Sequence, residues 1–269
     1  MAEFERIILE REDNIAIIKF SNPPLNRLGL QMLREFHQAL DLLENDDSVR
    51  AILVTGDGYH FSGGADIPEY AHLKKEDFEE YAALGHKTAS RIEYYPKAII
   101  AAGTGKCLGA SQMIYAACDI HIAGENIDYW DGSVYYGLIG SMSMAGVRAA
   151  KWLGRNKVLE FMLMGKHLNG RELVDYGVAA ICVPDDQVLE TGKRYAKRVA
   201  QAAPIAVAYL KREVATSLNG TYEEALAVEA ELAEKIKKTS DSKLGMEYLE
   251  KLFLVDDESS VELPHYTGK

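Results

Sequence analysis

The sequence predicts an α/β fold: one sheet-centred core with a helical C-terminal extension. Two observations lead there. Residues 51–55, Ala-Ile-Leu-Val-Thr, are apolar without alternation, as strands buried on both faces of a parallel sheet are. Strand patterns dominate the first half of the chain and helix patterns the second. The division falls between a core at residues 1–200 and a helical region at 201–269.

Taken in order, residues 4–20 read as a hairpin turning at Glu12-Asp13-Asn14, and Asn22-Pro23-Pro24 stops its second strand. Residues 30–44 are amphipathic, with Leu30, Leu33, Phe36, Leu40 and Leu43 on one stripe. After strand 51–55 come the glycines of Gly56-Asp57-Gly58 and Phe61-Ser62-Gly63-Gly64-Ala65-Asp66-Ile67. A helix is expected over 76–94, a strand over 98–102, a glycine-rich turn over 103–109, a helix over 110–117 and a strand over 119–123. Short helices follow at 145–153, 157–164 and 170–176, then a last strand within 177–184. Helices at 189–203, 206–217, 221–239 and 242–253 complete the chain. The third of these turns Leu226, Ala230, Ala233 and Ile236 inward, and the tail beyond the last helix is expected to be loose.

With 269 residues and 48% hydrophobic composition, the chain can bury a large core as one α/β unit with appendages. A net charge of -11 and the lack of a basic stripe argue against nucleic acid as a partner. Cys107, Cys118 and Cys182 lack paired spacing. With no secretory leader in the first residues, they read as reduced thiols of a cytoplasmic protein. No apolar run approaches membrane-spanning length. His60, His86 and His121 lack ligand spacing, so no metal is expected.

The stretch 96–144 organises the rest. A strand that breaks at glycines and restarts as a helix exposes free N–H groups at the helix start. Such groups hold an anion, or an oxygen that gains charge during a reaction. The turn around Phe61–Ile67 is its candidate partner. Either turn alone would be an ordinary tight loop needing positive φ. Cys107 lies inside the second turn; with no histidine base beside it, it reads as a small buried residue rather than a nucleophile.

Three motifs in this order resemble the crotonase (enoyl-CoA hydratase/isomerase) superfamily. They are Phe61-Ser62-Gly63-Gly64-Ala65-Asp66-Ile67; Pro96-Lys97 with Leu108-Gly109-Ala110 and Ala117-Cys118-Asp119-Ile120; and Asp241, Gly245-Met246 and Leu249-Glu250-Lys251. The resemblance spans nearly the whole chain. It implies a spiral of ββα units closed by C-terminal helices, assembled as a homotrimer or dimer of trimers through 201–269. It implies an acyl-CoA thioester as ligand, with coenzyme A entering as part of the substrate and no separate cofactor. The backbone N–H groups of Ala65 and Ala110 would hold the thioester oxygen. Gly64, Asp66, Ile67, Leu108 and Gly109 would shape that site. The family usually has glycine where Ala110 stands; alanine keeps the N–H and narrows the pocket.

The chain departs from the family where a hydratase carries two glutamates. Those positions hold Met113 and Ser133, which cannot move protons near neutral pH. Relatives with other chemistry carry an aspartate near Gly140-Ser141, where none is found. The acid left nearby is Asp131, which would share a pocket-facing side with Ser133 if this segment is extended. Otherwise it is a solvated turn residue before Gly132. Ser133, Ser141 and Ser143 are candidates to orient water or substrate. Tyr70, Tyr129, Tyr135 and Tyr136 are candidates to wall the acyl group, or else pack in the core. His86 is a weaker general-base candidate, and Lys251 a candidate contact for CoA phosphates.

Three functions fit. The first is an acyl-CoA enzyme with altered acid–base groups: isomerase, C–C hydrolase, decarboxylase or thioesterase, on a cyclic or aromatic acyl group. The second is a non-catalytic acyl-CoA-binding or partner subunit. The third is a hydratase whose acid comes from an unaligned position.

Overall fold

A computed structural model describes residues 4–140, 145–255 and 261–269. Strands β1 (Ile7–Glu12) and β2 (Ile15–Phe20) pair antiparallel as the hairpin. Helix α1 (Leu30–Glu44) buries its predicted stripe. Then come β3 (Ala51–Gly56), the short α2 (Ile67–Tyr70), α3 (Lys75–Glu93), β4 (Ala98–Gly103), β5 (Lys106–Leu108) and α4 (Ala110–Ala117). They are followed by β6 (Ile120–Gly124), β7 (Asp128–Trp130), α5 (Ala145–Leu163, interrupted at Gly154), α6 (Gly170–Asp175) and β8 (Ile181–Val183). Helices α7 (Val188–Val199), α8 (Pro204–Asn219), α9 (Tyr222–Ile236) and α10 (Ser240–Leu252) end the chain.

The main sheet runs β1-β2-β3-β4-β6-β8, parallel after the first hairpin. A smaller parallel layer joins β5 to β7, and the bridges Ser62–Cys107 and Tyr129–Leu168 extend it. After β3, β4 and β6 the chain therefore visits the small layer before entering a helix. That repeat is a spiral of ββα units.

Both faces of the main sheet are covered, which explains the unbroken apolar strands. Ile18, Ile52, Val54 and Ile99 pack on the side that α1, α3 and α4 cover. Ile17, Leu53, Ile100 and Ile122 face Val188 and Ala196 of α7.

Four expectations need correction. The glycine-rich segment 103–109 is not only a turn, because Lys106, Cys107 and Leu108 pair with Asp128, Tyr129 and Trp130. Helix α7 stops at Val199, and Pro204 begins α8 instead of ending its predecessor. Proline suits a first helical turn, where its missing N–H is no loss. On α9, Leu226, Ala230 and Ala233 are exposed, and Leu232 is the buried residue. Of the stripe predicted to face inward, only Ile236 is partly covered among the described residues. Finally, the tail is tied down. Asp241, only 1% exposed, accepts hydrogen bonds from the N–H groups of Thr267 (2.8 Å) and Gly268 (2.7 Å), and Arg50 donates to the Tyr266 carbonyl.

The C-terminal helices dock through a buried cation. Lys211 on α8 donates to the carbonyls of Ile92 and Lys97 and to Asp119 Oδ2 at 2.7 Å. The same carboxylate accepts the Ile99 N–H. No helix among the described residues is long and apolar enough to cross a membrane.

Candidate active site

The two glycine turns meet. Ser62 bridges Cys107, its N–H bonding to the Lys106 carbonyl and its carbonyl accepting the Leu108 N–H at 3.1 Å. Gly64 (φ +85°) then passes so near Leu108 that a Cβ there would lie 2.4 Å from the Leu108 oxygen and 3.6 Å from the Ala110 nitrogen. Only glycine fits that approach and that φ. Gly109, also at positive φ, caps α4 and gives its own N–H to the Trp130 carbonyl.

Ala65 and Ala110 thus follow two glycines held against each other. Ala110 is the first residue of α4, where a helical N–H has no partner in its own helix. The bridge between Leu28 and Ala65 uses the Gly64 carbonyl and the Asp66 N–H, leaving the Ala65 N–H out. Among the described residues neither N–H donates to a backbone acceptor. The arrangement thus leaves two backbone N–H groups without a backbone acceptor in adjacent turns.

Residues outside the predicted set brace this arrangement. Tyr81 Oη donates to the Leu28 carbonyl at 2.9 Å, locking the strand beside Ala65. Asn26, fully buried, donates to the carbonyls of Asp57 and His60 and accepts from Asn22 N–H. An asparagine directly after Pro23-Pro24-Leu25 carries a turn signal, but nothing local to it shows which carbonyls it reaches.

The acid–base candidates are placed as follows. Asp131 is 1% exposed, so it is not the solvated turn residue of the bland reading. The extended reading fails too. Strand β7 ends at Trp130, and a 3-10 turn runs over Ser133–Tyr136. Asp131 accepts the Ser133 N–H at 2.9 Å and the Ser133 hydroxyl at 2.6 Å, capping that turn. An aspartate two residues before a turn N–H commonly makes this local bond, and here it outcompetes strand periodicity. The Trp130 ring lies beside Gly132 and edge-on to Tyr136 of that turn, stacked on His167 with ring centroids 5.0 Å apart, its Nε1 donating to the Gly165 carbonyl.

Met113 is fully buried in the core and lines a cavity of about 20 Å³ shared with Gln112, Tyr129, Arg148 and Trp152. Among the described residues, Gln112 has no hydrogen-bond partner for either side-chain polar atom. Tyr136 is 70% exposed and edge-on to Trp130; Tyr70 is partly exposed, against Phe78 and Tyr81. Ile67 is exposed beside it, and Asp66 caps α2. His86 lies on the exposed side of α3, away from the buried Tyr81, Gly85 and Ala89. Lys251 is exposed in the last turn of α10. Ser141 and Ser143 lie outside the described residues.

Burial pushes the Cys107 thiol well up, which keeps it protonated and unreactive. Burial likewise raises the Tyr129 phenol far above its ordinary value. At the edge of the small layer, burial works to raise the Asp128 pKa. Hydrogen bonds from Lys106 (2.6 Å) and His167 (2.6 Å) outweigh it and hold the carboxyl low.

This spiral with its paired N–H donors defines a class. The enoyl-CoA hydratase/isomerase family profile matches residues 10–255, and the chain belongs to that family, within the crotonase superfamily. A probable enoyl-CoA hydratase of Bacillus subtilis is 34% identical over 249 residues, covering 91% of this chain and 96% of that protein. A short-chain-enoyl-CoA hydratase of Clostridium acetobutylicum is 28% identical over 246 residues, covering 91% and 94%. Among solved structures, an enoyl-CoA hydratase from Bacillus anthracis superposes with a TM-score of 0.89 at 23% identity, covering 98% of this chain and 100% of that one. That last likeness speaks for the fold.

Proposed function

We propose that the protein is an acyl-CoA enzyme in which the N–H groups of Ala65 and Ala110 hold the thioester oxygen as it gains negative charge. The observation that carries this is the contact of the two turns at Gly64, Leu108 and Ala110, with both amides left out of the backbone pairing. A thioester oxygen becomes an enolate oxygen when an α-proton leaves, and a tetrahedral oxyanion when a nucleophile adds. Fixed donors in a water-poor site stabilise either by roughly 2.7–4 kcal/mol per donor.

The reaction is not standard enoyl-CoA hydration. Met113 is a buried thioether, and Ser133 is committed to Asp131. Neither titrates near neutral pH. Isomerisation, C–C bond hydrolysis, decarboxylation and thioester hydrolysis share the oxyanion and differ in where the proton goes. Asp131 is the proton carrier in this reading. Its burial, and the hydrogen bond from Gly109 N–H to the preceding Trp130 carbonyl, keep it beside the second turn.

A second reading has specific support. Relatives that cover nine-tenths of the chain bear hydratase names, which favours a hydratase with a relocated acid, again Asp131. Assembly as a trimer, single or paired, is supported by the exposed Leu226 and Ala230 stripe on α9. Crotonyl-CoA turnover separates the two readings. The first expects loss of the enoyl-thioester absorbance with kcat below about 10 s⁻¹, the median for enzymes. A faster rate establishes the hydratase. Calorimetry with acetyl-CoA and an aromatic acyl-CoA tests both, and no binding of either at millimolar concentration sinks both.

A further inference from the structure

We infer that Ser111, with Ser62, is a positioning residue that sets the spacing between the two N–H donors. The inference rests on the reading of Ala65 and Ala110 above. Ser111 directly follows Ala110 on α4, and Ser62 stands three residues before Ala65. Both are fully buried. The Ser111 hydroxyl lies 3.1 Å from the Ser62 carbonyl and 3.0 Å from the Leu108 carbonyl, so its single proton is shared between the two turns. The Ser62 hydroxyl accepts the N–H of Gly64, the amide just before Ala65, at 3.1 Å.

Each serine therefore serves a different donor. Ser62 orients the peptide leading into Ala65. Ser111 ties the first turn of α4, which begins at Ala110, to the backbone of Ser62. Two backbone bonds also join the turns here, Leu108 N–H to the same Ser62 carbonyl and Ser62 N–H to the Lys106 carbonyl, but both fall on β5, before α4 begins. A bond from a helical serine to the carbonyl three residues back is local and common. The bond to Ser62 spans 49 residues and joins the two elements that carry the donors. A backbone pair stabilises a developing oxyanion only if its geometry is fixed before charge forms. Loss of the Ser111 hydroxyl leaves the fold intact, with the Ser62 carbonyl still paired to Leu108, but frees α4 to drift from Ser62.

The test reads the carbonyl itself. Cinnamoyl-CoA is a conjugated thioester whose ultraviolet band moves to longer wavelength when donors draw electron density onto its oxygen. It is titrated into the wild-type protein and into Ser111→Ala, with band position and Kd recorded. The wild type is expected to shift the band. The variant is expected to bind within about threefold of wild type while losing about half the shift or more, because binding is carried elsewhere and polarisation is not. A purely structural serine would lower thermal stability and leave the shift of bound ligand unchanged, and that result overturns the inference. A wild type that does not bind cinnamoyl-CoA, or binds it without a shift, overturns the Ala65–Ala110 reading beneath it. Should Ser111→Ala not fold, Ser111→Cys keeps the volume with a weak donor, and an intermediate shift is expected; a full shift there counts against the role.

Discussion

A side chain on Gly64 would collide with the carbonyl oxygen of Leu108, at 2.4 Å from an added Cβ. Gly64 also sits at φ +85°, where an alanine costs about 1–2 kcal/mol before any clash. Gly64→Ala is therefore expected to push the two turns apart. Stability should fall by about 2–4 kcal/mol in urea titration, and turnover by about 10²-fold or more, the loss seen when an oxyanion donor is misplaced. An active, stable Gly64→Ala protein would mean that the contact of the turns is not needed.

Asp131→Asn tests the proton-carrying role proposed for this residue. An asparagine oxygen still accepts from the Ser133 N–H and hydroxyl, so the 3-10 turn should survive. With whichever acyl-CoA the wild type turns over, kcat is expected to drop about 10²-fold or more while CoA binding stays nearly unchanged. Full activity would remove Asp131 from the mechanism.

Most of the fold was legible in the sequence, because its strands are buried on both faces and its helices carry clean stripes. Ala51–Gly56 and Ala110–Ala117 stand where their patterns put them. The three-residue strands β5 and β7 were not legible, since each is too short to show a period. Which face of α9 turns inward depends on its packing against α8, information that its own sequence lacks. At the site, the glycine turns announced themselves. Ser62, Ser111 and Asn26 did not, because a serine or asparagine in a turn looks the same whether its bond is local or reaches a distant element.

Lys211 on α8 is the second place where distance in sequence hid a contact. Removing it takes the cation from Asp119, whose side chain is 24% exposed and still accepts the Ile99 N–H. Lys211→Met is expected to cost about 1.5–3 kcal/mol, the range for hydrogen bonds that involve a charged group. Hydrogen exchange should show α8 opening first; unchanged protection there would deny the clasp.

Asp241 holds the tail through three hydrogen bonds to Thr267 and Gly268. Asp241→Ala is expected to cost about 2–3 kcal/mol, since charge-assisted hydrogen bonds are the strong kind and Asp241 itself is buried. Limited proteolysis should then clip the chain near its end, where the wild type resists. Equal resistance in both proteins would show that the tail is held by other means.

The pH dependence should carry the mark of His121. Burial lowers its pKa from 6.5 to about 4, and its Nε2 has no partner among the described residues. The folded protein keeps this ring neutral while the unfolded chain protonates it. Its contribution is therefore full above pH 6.5 and is lost as pH falls towards 4, by up to about 3 kcal/mol. His121→Phe should flatten the stability curve over that window. A curve of wild-type slope would place the acid sensitivity elsewhere.

In the proposed site one thioester oxygen sits between Ala65 and Ala110. A crystal structure with a bound acyl-CoA tests it most directly. The thioester oxygen is expected within about 2.7–3.1 Å of both backbone nitrogens, the range of an oxyanion hole. An acyl-CoA bound with its carbonyl away from either nitrogen would contradict it.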